Sequence, residues 1–318
     1  MGDESYTAIT MKAVRIHEFG GPEVLQCEEA PAPEPAEGEV RVRVHAAAVN
    51  PVDGKIRTGK FHLFRPDLPA ILGRDLSGVI ERVAPGVKNL KIGDEVFGMI
   101  GYERGAYADL AVALPIELAH KPAVLDHLHA AGIGVAGLTA WQSLFDHGEL
   151  RAGQRVLIHG GGGGVGHFAV QLAVLHGAQV IATAGPQDID FVRALGAARV
   201  INYKTQRFEE IARDIDLVLD LIAGETRERS WQVLKPRGLM VSTLGEPQPP
   251  ENAPVGVRGR ATVVRSEAGQ LAEIAALAAS GQLRIEVNAT YPLSEAREAH
   301  AQMENAHSRG KIILQVRD

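Results

Sequence analysis

The chain has 318 residues, 45% hydrophobic and 23% charged, with 33 Lys and Arg against 39 Asp and Glu and a net charge of −6. At roughly 150 residues per domain, that length holds about two domains with cores of their own, which excludes a disulfide-stapled mini-protein. A mildly acidic chain without a Lys/Arg run lacks the electrostatic footprint of a nucleic-acid binder, and an anionic membrane surface would repel it.

Glycine is the compositional outlier, 35 residues or about 11% against a usual level of about 7%, which points to tight turns or to backbone that approaches a ligand closely. The single cysteine, Cys27, can form neither an internal disulfide nor a Cys-rich zinc site. No apolar run reaches the roughly 18 to 20 residues that span a bilayer, and the first ten residues lack the order of a signal peptide. The expectation is a cytoplasmic protein that engages no membrane, with residues 1–10 a loosely ordered extension.

In chain order, Met11–Ile16 reads as a short strand and the Pro-rich stretch 30–38 as a loop. Val40, Val42 and Val44 alternate with Arg41, Arg43 and His45 at the period of a half-buried strand. Short β segments follow at 77–83 and 93–98, each bounded by Gly or Pro, so the first third predicts a compact barrel-like β domain. From about Leu125 the period becomes helical through Leu144. Strands at 155–159, 179–183, 199–202, 215–221 and 238–244 then alternate with helices at 165–177, 188–195 and 208–213 and one before 238. That alternation predicts an α/β, doubly wound parallel sheet covered on both faces. A helix over 268–279, a strand near Ile285 and a closing strand at 311–316 complete the reading.

The strongest motif is Val156-Leu157-Ile158-His159 followed by five glycines, Val165 and Gly166. Gly161, Gly163 and Gly166 form GxGxxG after a strand and at the start of a helix. In that setting the first glycine allows the turn, the second admits a pyrophosphate and the third lets helix pack on strand. Free N–H groups at the helix start, around Gly164 and Val165, would bind the phosphates. The next strand ends Thr183-Ala184-Gly185 without the Asp or Glu that holds a ribose 2′-hydroxyl, which favours NADP(H). No base stands in that turn; Arg193 or the Tyr203-Lys204 pair would meet a 2′-phosphate, and surface charge is the other reading of Arg193 and Lys204.

With these residues in view, the sequence resembles the medium-chain dehydrogenase/reductase superfamily, specifically its zinc-independent quinone oxidoreductase and alkenal/enone reductase branch. The matching pieces, in order, are Met11-Lys12-Ala13-Val14, Asn50-Pro51-Val52-Asp53, Gly73-Arg74-Asp75-Leu76-Ser77-Gly78, Gly93-Asp94-Glu95-Val96, Gly137-Leu138-Thr139-Ala140, Gly163-Gly164-Val165-Gly166 and Arg309-Gly310-Lys311-Ile312-Ile313-Leu314. The resemblance implies a GroES-like β-barrel domain from 11–124 and 266–318, a Rossmann NADP(H)-binding domain at 125–265, an active cleft between them and a homodimer. Zinc alcohol dehydrogenases of the superfamily carry Cys, His and Cys at the places of Asn50, Arg74 and about Val135. Such a site needs about three N, S or O ligands, so no metal is expected here. His127 and His129 stand two apart, on different faces of a helix, and His159 and His167 read as packing residues.

Without zinc to polarise a carbonyl, the expected acceptors are quinones or α,β-unsaturated carbonyls. By the resemblance, Asn50, Asp53 and Lys55 are the catalytic candidates: Asn50 as a donor to substrate oxygen, Lys55 beside the nicotinamide. Helix capping by Asp53 and a solvated Lys55 are the alternatives. Family relatives often carry a larger residue at Gly54, and Tyr107 stands between a proton donor and a packing residue. The resemblance also places Thr139 and Lys311 near the cofactor, Tyr203 near the adenosine phosphate, and Leu221, Leu244 and Gly245 along the nicotinamide ribose. Two other readings stay open at this point: an NADPH-binding protein without turnover, and a zinc alcohol dehydrogenase.

Overall fold

A computed structural model describes residues 9–305 and 309–317; apart from Ile9 and Thr10, the extension expected over 1–10 lies outside the described residues. In the strand Val40–Val49 the valines at 40, 42 and 44 are fully buried, Arg43 is exposed, and the three alanines 46–48 are buried on both sides. This strand is the centre of a sheet ordered Val287–Pro292, Lys311–Gln315, Val40–Val49, Asp75–Val83, Glu95–Met99 and Leu118–His120, with Leu110–Ala113 also paired to Val40–Val49. A smaller sheet sets Thr10–Ile16 between Leu25–Pro31 and Ala70–Ile71. Between the sheets lies one apolar core built on Val14, Ile16, Leu25, Leu76, Ile80, Val96 and Leu314. Lys311–Gln315 pairs antiparallel with the end of Val40–Val49, so the C-terminal segment returns to the first domain.

The second sheet is parallel throughout and ordered Arg199–Asn202, Gln179–Ala184, Arg155–Ile158, Ile215–Asp220, Leu234–Ser242 and Arg258–Ala261. Its side chains divide at the strand period. Val156, Ile158, Val180, Ala182, Leu217 and Leu219 enter one core, while Leu157, Ile181, Val218 and Met240 enter another on the opposite face. A sheet buried on both faces is what near-continuous apolar strands dictate. The order reverses between Arg155–Ile158 and Ile215–Asp220, which opens a crevice at their carboxyl ends.

Three details differ from the sequence reading. The helical stretch from Leu125 is two helices, His127–Ala131 and Gly134–Trp141, followed by a single π turn at Gln142–Asp146. The strand expected near Ile285 begins at Val287, because Gln171 on the preceding domain bonds both backbone groups of Arg284, at 2.9 and 2.7 Å, and holds that stretch out of the sheet. The strand Leu25–Pro31 is legible only in place: Gln26, Cys27, Glu28 and Glu29 give it no apolar alternation, yet it pairs residue for residue with Thr10–Ile16.

Candidate active site

The turn after Arg155–Ile158 is made by Gly160, at φ 71°, and not by Gly161 as the motif suggested. Gly161 serves packing: a Cβ there would stand 3.0 Å from Ala182 Cβ and 3.1 Å from Val192 Cγ1. At Gly166 a Cβ would stand 2.0 Å from the carbonyl oxygen of Gly160, so the helix Gly166–Leu175 can start there only without a side chain. Gly163 and Gly164 face space, with nothing nearer than 3.4 Å to an added Cβ. The N–H groups of Gly162, Gly164 and Val165 have no partner among the described residues. Free N–H groups at a helix start, with open space before them, fit a diphosphate.

The loop's underside is tightly held. Thr183 Oγ1 accepts the Gly160 N–H at 3.1 Å and contacts His159 Nδ1 at 3.2 Å; its hydroxyl supports the loop, and Ala184 and Gly185 beside it are buried. His159 and His167 are both fully buried and held neutral, their pKa pushed down to about 4 by burial, as packing residues would be. Tyr203, at the end of Arg199–Asn202, donates its N–H to Ala184 O and exposes its ring, over which Lys204 Nζ lies at 5.3 Å from the centroid. Arg193 is paired to Asp190 on the surface. The base missing from the turn in sequence arrives from the C-terminal segment: Arg309 donates to Asp188 Oδ1 at 2.8 Å and to Gln187 O at 2.7 Å.

On the other side of the crevice, Asp220 is fully buried and accepts from the N–H groups of Ile222 and Ala223, from Arg227 Nε at 2.7 Å and from Ser242 Oγ at 2.8 Å. Burial pushes its carboxyl up, but these donors outweigh it and leave the pKa below the ordinary value. Arg227 also donates to Leu244 O, so one network carries the partly exposed Leu221 and Leu244, with Gly245 following at φ 93°. A carboxylate with a depressed pKa stabilises the fold above its unfolded pKa, and that contribution is lost as pH falls. Arg227→Ala should therefore cost about 1–3 kcal/mol at neutral pH, with the gap to wild type closing below about pH 4. Urea unfolding at pH 7 and pH 3.5 measures it.

Next to the glycine loop, the barrel contributes a buried polar cluster. Gly310 N–H donates to Gly162 O, and Lys311 Cδ passes 3.5 Å from where a Cβ on Gly164 would stand. From there Lys311 Nζ reaches Asn50 Oδ1 at 2.5 Å and Asp75 Oδ2 at 3.5 Å. Asn50 Nδ2 donates to Asp75 Oδ2 at 2.9 Å, and Asp75 Oδ1 accepts the N–H of Val135 at 2.6 Å, tying the barrel to the helix Gly134–Trp141 that carries the buried Thr139. Burial raises the Asp75 pKa and lowers that of Lys311, each opposed by the charge of the other.

Asn50 also precedes the helix Pro51–Arg57, and its N–H donates to Asp53 Oδ2 at 2.8 Å, so Asp53 does act at the helix start. Tyr107 donates to the same oxygen at 2.9 Å. The directions beyond it follow from chemistry. Arg57 can only donate, so the 3.2 Å contact from its Nη1 makes His300 Nδ1 an acceptor. His300 Nε2 then carries the ring proton and donates to Tyr107 Oη at 3.3 Å. Lys55, by contrast, lies on the exposed side of this helix and stands outside the network. Neither Arg57 nor His300 was legible in sequence; they lie 243 positions apart and only the fold joins them.

By the resemblance, Asn50, Arg74 and Val135 stand at the places of the metal ligands of the zinc alcohol dehydrogenases. An amide, an arginine and a valine are no ligand set for zinc. No group of three or more His, Cys, Asp or Glu that could hold a metal ion occurs among the described residues. His127 bonds Ser77 and stacks on His45, while His129 bonds Asp126, so the two histidines do not converge.

Residues 36–123 match the family profile described as alcohol dehydrogenase GroES-like domain, and 195–314 match that of zinc-binding dehydrogenase. A barrel of the first kind joined to a doubly wound nucleotide domain defines the class: the chain belongs to the medium-chain dehydrogenase/reductase superfamily. It is 35% identical over 326 residues to a quinone oxidoreductase of Sus scrofa, covering 96% of this chain and 97% of that one. It is 33% identical over 316 residues to the chloroplastic NADPH-dependent alkenal/one oxidoreductase of Arabidopsis thaliana, covering 96% and 79%. The solved quinone oxidoreductase of Coxiella burnetii superposes with a TM-score of 0.88 at 35% identity, covering 97% of this chain and all of that one. Within the superfamily, then, this chain is a member of the zinc-independent quinone/enone oxidoreductase branch.

Proposed function

We infer that the protein is an NADPH-dependent oxidoreductase that reduces quinones or α,β-unsaturated carbonyls without zinc. The observation that carries the reading is the pairing of a diphosphate cradle, with N–H groups of Gly162, Gly164 and Val165 free among the described residues, with a barrel wall that offers Asn50, Asp75 and Lys311 in place of metal ligands. The bound dihydronicotinamide supplies a hydride; the protein binds and orients it and excludes water. Gly161, Gly163, Gly164, Val165 and Gly166 form the diphosphate seat. Thr139 and Lys311 stand toward the nicotinamide half, and Leu221, Leu244 and Gly245 along its ribose. Thr183, Ala184, Gly185 and Tyr203 surround the adenosine.

Two features favour the phosphorylated dinucleotide. The acid nearest the adenosine turn, Asp188, is 1% exposed and already paired to Arg309. Lys204 forms no ion pair among the described residues and stands over Tyr203 at the strand end. In this reading Asn50 and Asp53 belong to the acceptor side, Lys55 borders it, residues 11–124 and 266–318 form the catalytic domain, and 125–265 the nucleotide domain. The enzyme works in the cytoplasm as a homodimer on a small-molecule acceptor. Stopped-flow fluorescence with NADPH and NADH tests the cofactor assignment. NADPH is expected to bind at least 10-fold more tightly, and Lys204→Ala to erase most of that difference; equal affinities for the two would reject it.

A further inference from the structure

Two buried polar atoms in the barrel have no hydrogen-bond partner among the described residues, Asp53 Oδ1 and Arg74 Nη1, and both residues line one cavity. Asp53 is fully buried and Arg74 is 5% exposed. The cavity measures about 10 Å3, room for one oxygen atom. Everything around these atoms is fixed. Asp53 Oδ2 accepts from Asn50 N–H and Tyr107 Oη, which leaves Oδ1 as the free oxygen. Arg74 Nε donates to Ile100 O at 3.0 Å and its guanidinium lies 3.8 Å over the Tyr102 ring, which leaves Nη1 as its buried donor without a partner. Phe61 and Phe64 pack on Tyr102 at 5.1 and 5.9 Å, and Phe64 and Tyr102 line the cavity as half-buried rings. Beside this cavity the barrel touches the nucleotide domain: Asp75, next in sequence to Arg74, accepts the Val135 N–H at 2.6 Å.

We propose that this cavity receives the carbonyl oxygen of the acceptor, with Arg74 Nη1 donating a hydrogen bond to it and Asp53 Oδ1 delivering its proton. The assignment rests on the reductase reading above and adds Arg74 as a catalytic residue. Hydride attack from the reduced nicotinamide dinucleotide forms a C–H bond at the β-carbon, and the conjugated π pair moves onto the carbonyl oxygen. Arg74 stabilises the resulting oxyanion in a water-excluded site, where a preorganised donor acts most strongly. The Asp53 O–H bond then breaks toward that oxygen, giving an enol that tautomerises to the saturated carbonyl, and solvent reprotonates the carboxylate. A quinone undergoes the same step, since its ring is a cross-conjugated enone, and the product tautomerises to the hydroquinone. Burial raises the Asp53 pKa to about 7, opposed by the Asn50 N–H, Tyr107 and Lys311 and aided by Asp75. Arg74 and Arg104 line the cavity with the carboxyl, Arg104 paired to Glu39, Glu103 and Glu117, and His300 and Arg57 stand behind Tyr107.

The test compares Arg74→Gln, Arg74→Lys and Asp53→Asn with wild type, using NADPH with an ortho-quinone and with a 2-alkenal. NADPH affinity and the thermal midpoint are measured for each protein. Arg74→Gln is expected to lower kcat about 10²- to 10³-fold with NADPH affinity within about two-fold, and Arg74→Lys to recover part of the loss. Wild-type kcat should fall as pH rises through about 7, where Asp53 loses its proton, and Asp53→Asn should be slow and flat across that range. Folded Arg74→Gln that binds NADPH and turns over at the wild-type rate would overturn the assignment, as would an unchanged pH limb in Asp53→Asn. Wild-type protein that oxidises NADPH with neither acceptor would overturn the reductase reading, and this assignment with it.

Discussion

Gly166→Ala is expected to abolish dinucleotide binding and to cost the fold about 3 kcal/mol or more, at the large end of single-substitution effects. The added Cβ would meet the Gly160 carbonyl at 2.0 Å, a backbone atom that moves only if the turn and the first turn of the helix separate. In the proposed function the N–H groups of this loop seat the diphosphate, so stability and affinity should fall together. Gly163→Ala supplies the contrast, because its Cβ meets nothing nearer than 3.4 Å. That variant should fold nearly as well as wild type while losing affinity through crowding at the phosphates, and Gly163→Asp should lose binding entirely by charge repulsion. Urea melts and NADPH fluorescence titrations on the three variants separate the steric from the electrostatic effect.

Lys311→Met should be as damaging by a different route. It leaves Asp75, fully buried, with the Asn50 and Val135 donors and the more distant Arg74 charge but no ion-paired cation, and removing one member of a buried ion pair costs about 3–5 kcal/mol. The pH dependence has a definite sign. Asp75 has a folded-state pKa raised above its ordinary 3.8, so the carboxyl destabilises the fold progressively as pH rises through that higher value. Without Lys311 the rise is larger, and the variant's deficit should shrink on acidification as Asp75 takes up a proton. Asp75→Asn added to Lys311→Met should recover much of the loss, because an amide leaves no buried charge behind. A double-mutant cycle by urea unfolding measures the coupling.

The fold was legible in the sequence wherever burial imposed a period. Val40, Val42 and Val44 announced the barrel strand, and the apolar runs 155–159 and 215–221 announced a sheet covered on both faces. Legibility failed where tertiary pairing alone makes the element. Leu25–Pro31 is a strand because Thr10–Ile16 lies beside it, and 283–286 leave the last sheet because Gln171 bonds Arg284.

The site divides the same way. The glycine motif falls on the turn into the helix Gly166–Leu175, but the residue that makes that turn was misassigned, since five consecutive glycines give no local signal that Gly160 alone takes the left-handed conformation. Asn50, Asp53 and Lys311 do come together, across 261 positions between Asn50 and Lys311, while Lys55, two residues beyond Asp53, turns to the outside of the same helix. Arg74 was noticed in sequence only as the place where a metal ligand is lacking. Its unsatisfied donor beside Asp53 emerges once Ile100, Tyr102 and the helix Pro51–Arg57 are folded around it.

The central claim is hydride transfer to a conjugated carbonyl without a metal. Its most direct test is the initial rate of NADPH oxidation by chelator-treated, metal-analysed protein with an ortho-quinone, a 2-alkenal and a simple aldehyde. The account predicts turnover of the quinone or the alkenal that the chelator leaves unchanged, with little on the aldehyde. Activity confined to the aldehyde, lost on chelation and restored by zinc, would contradict it.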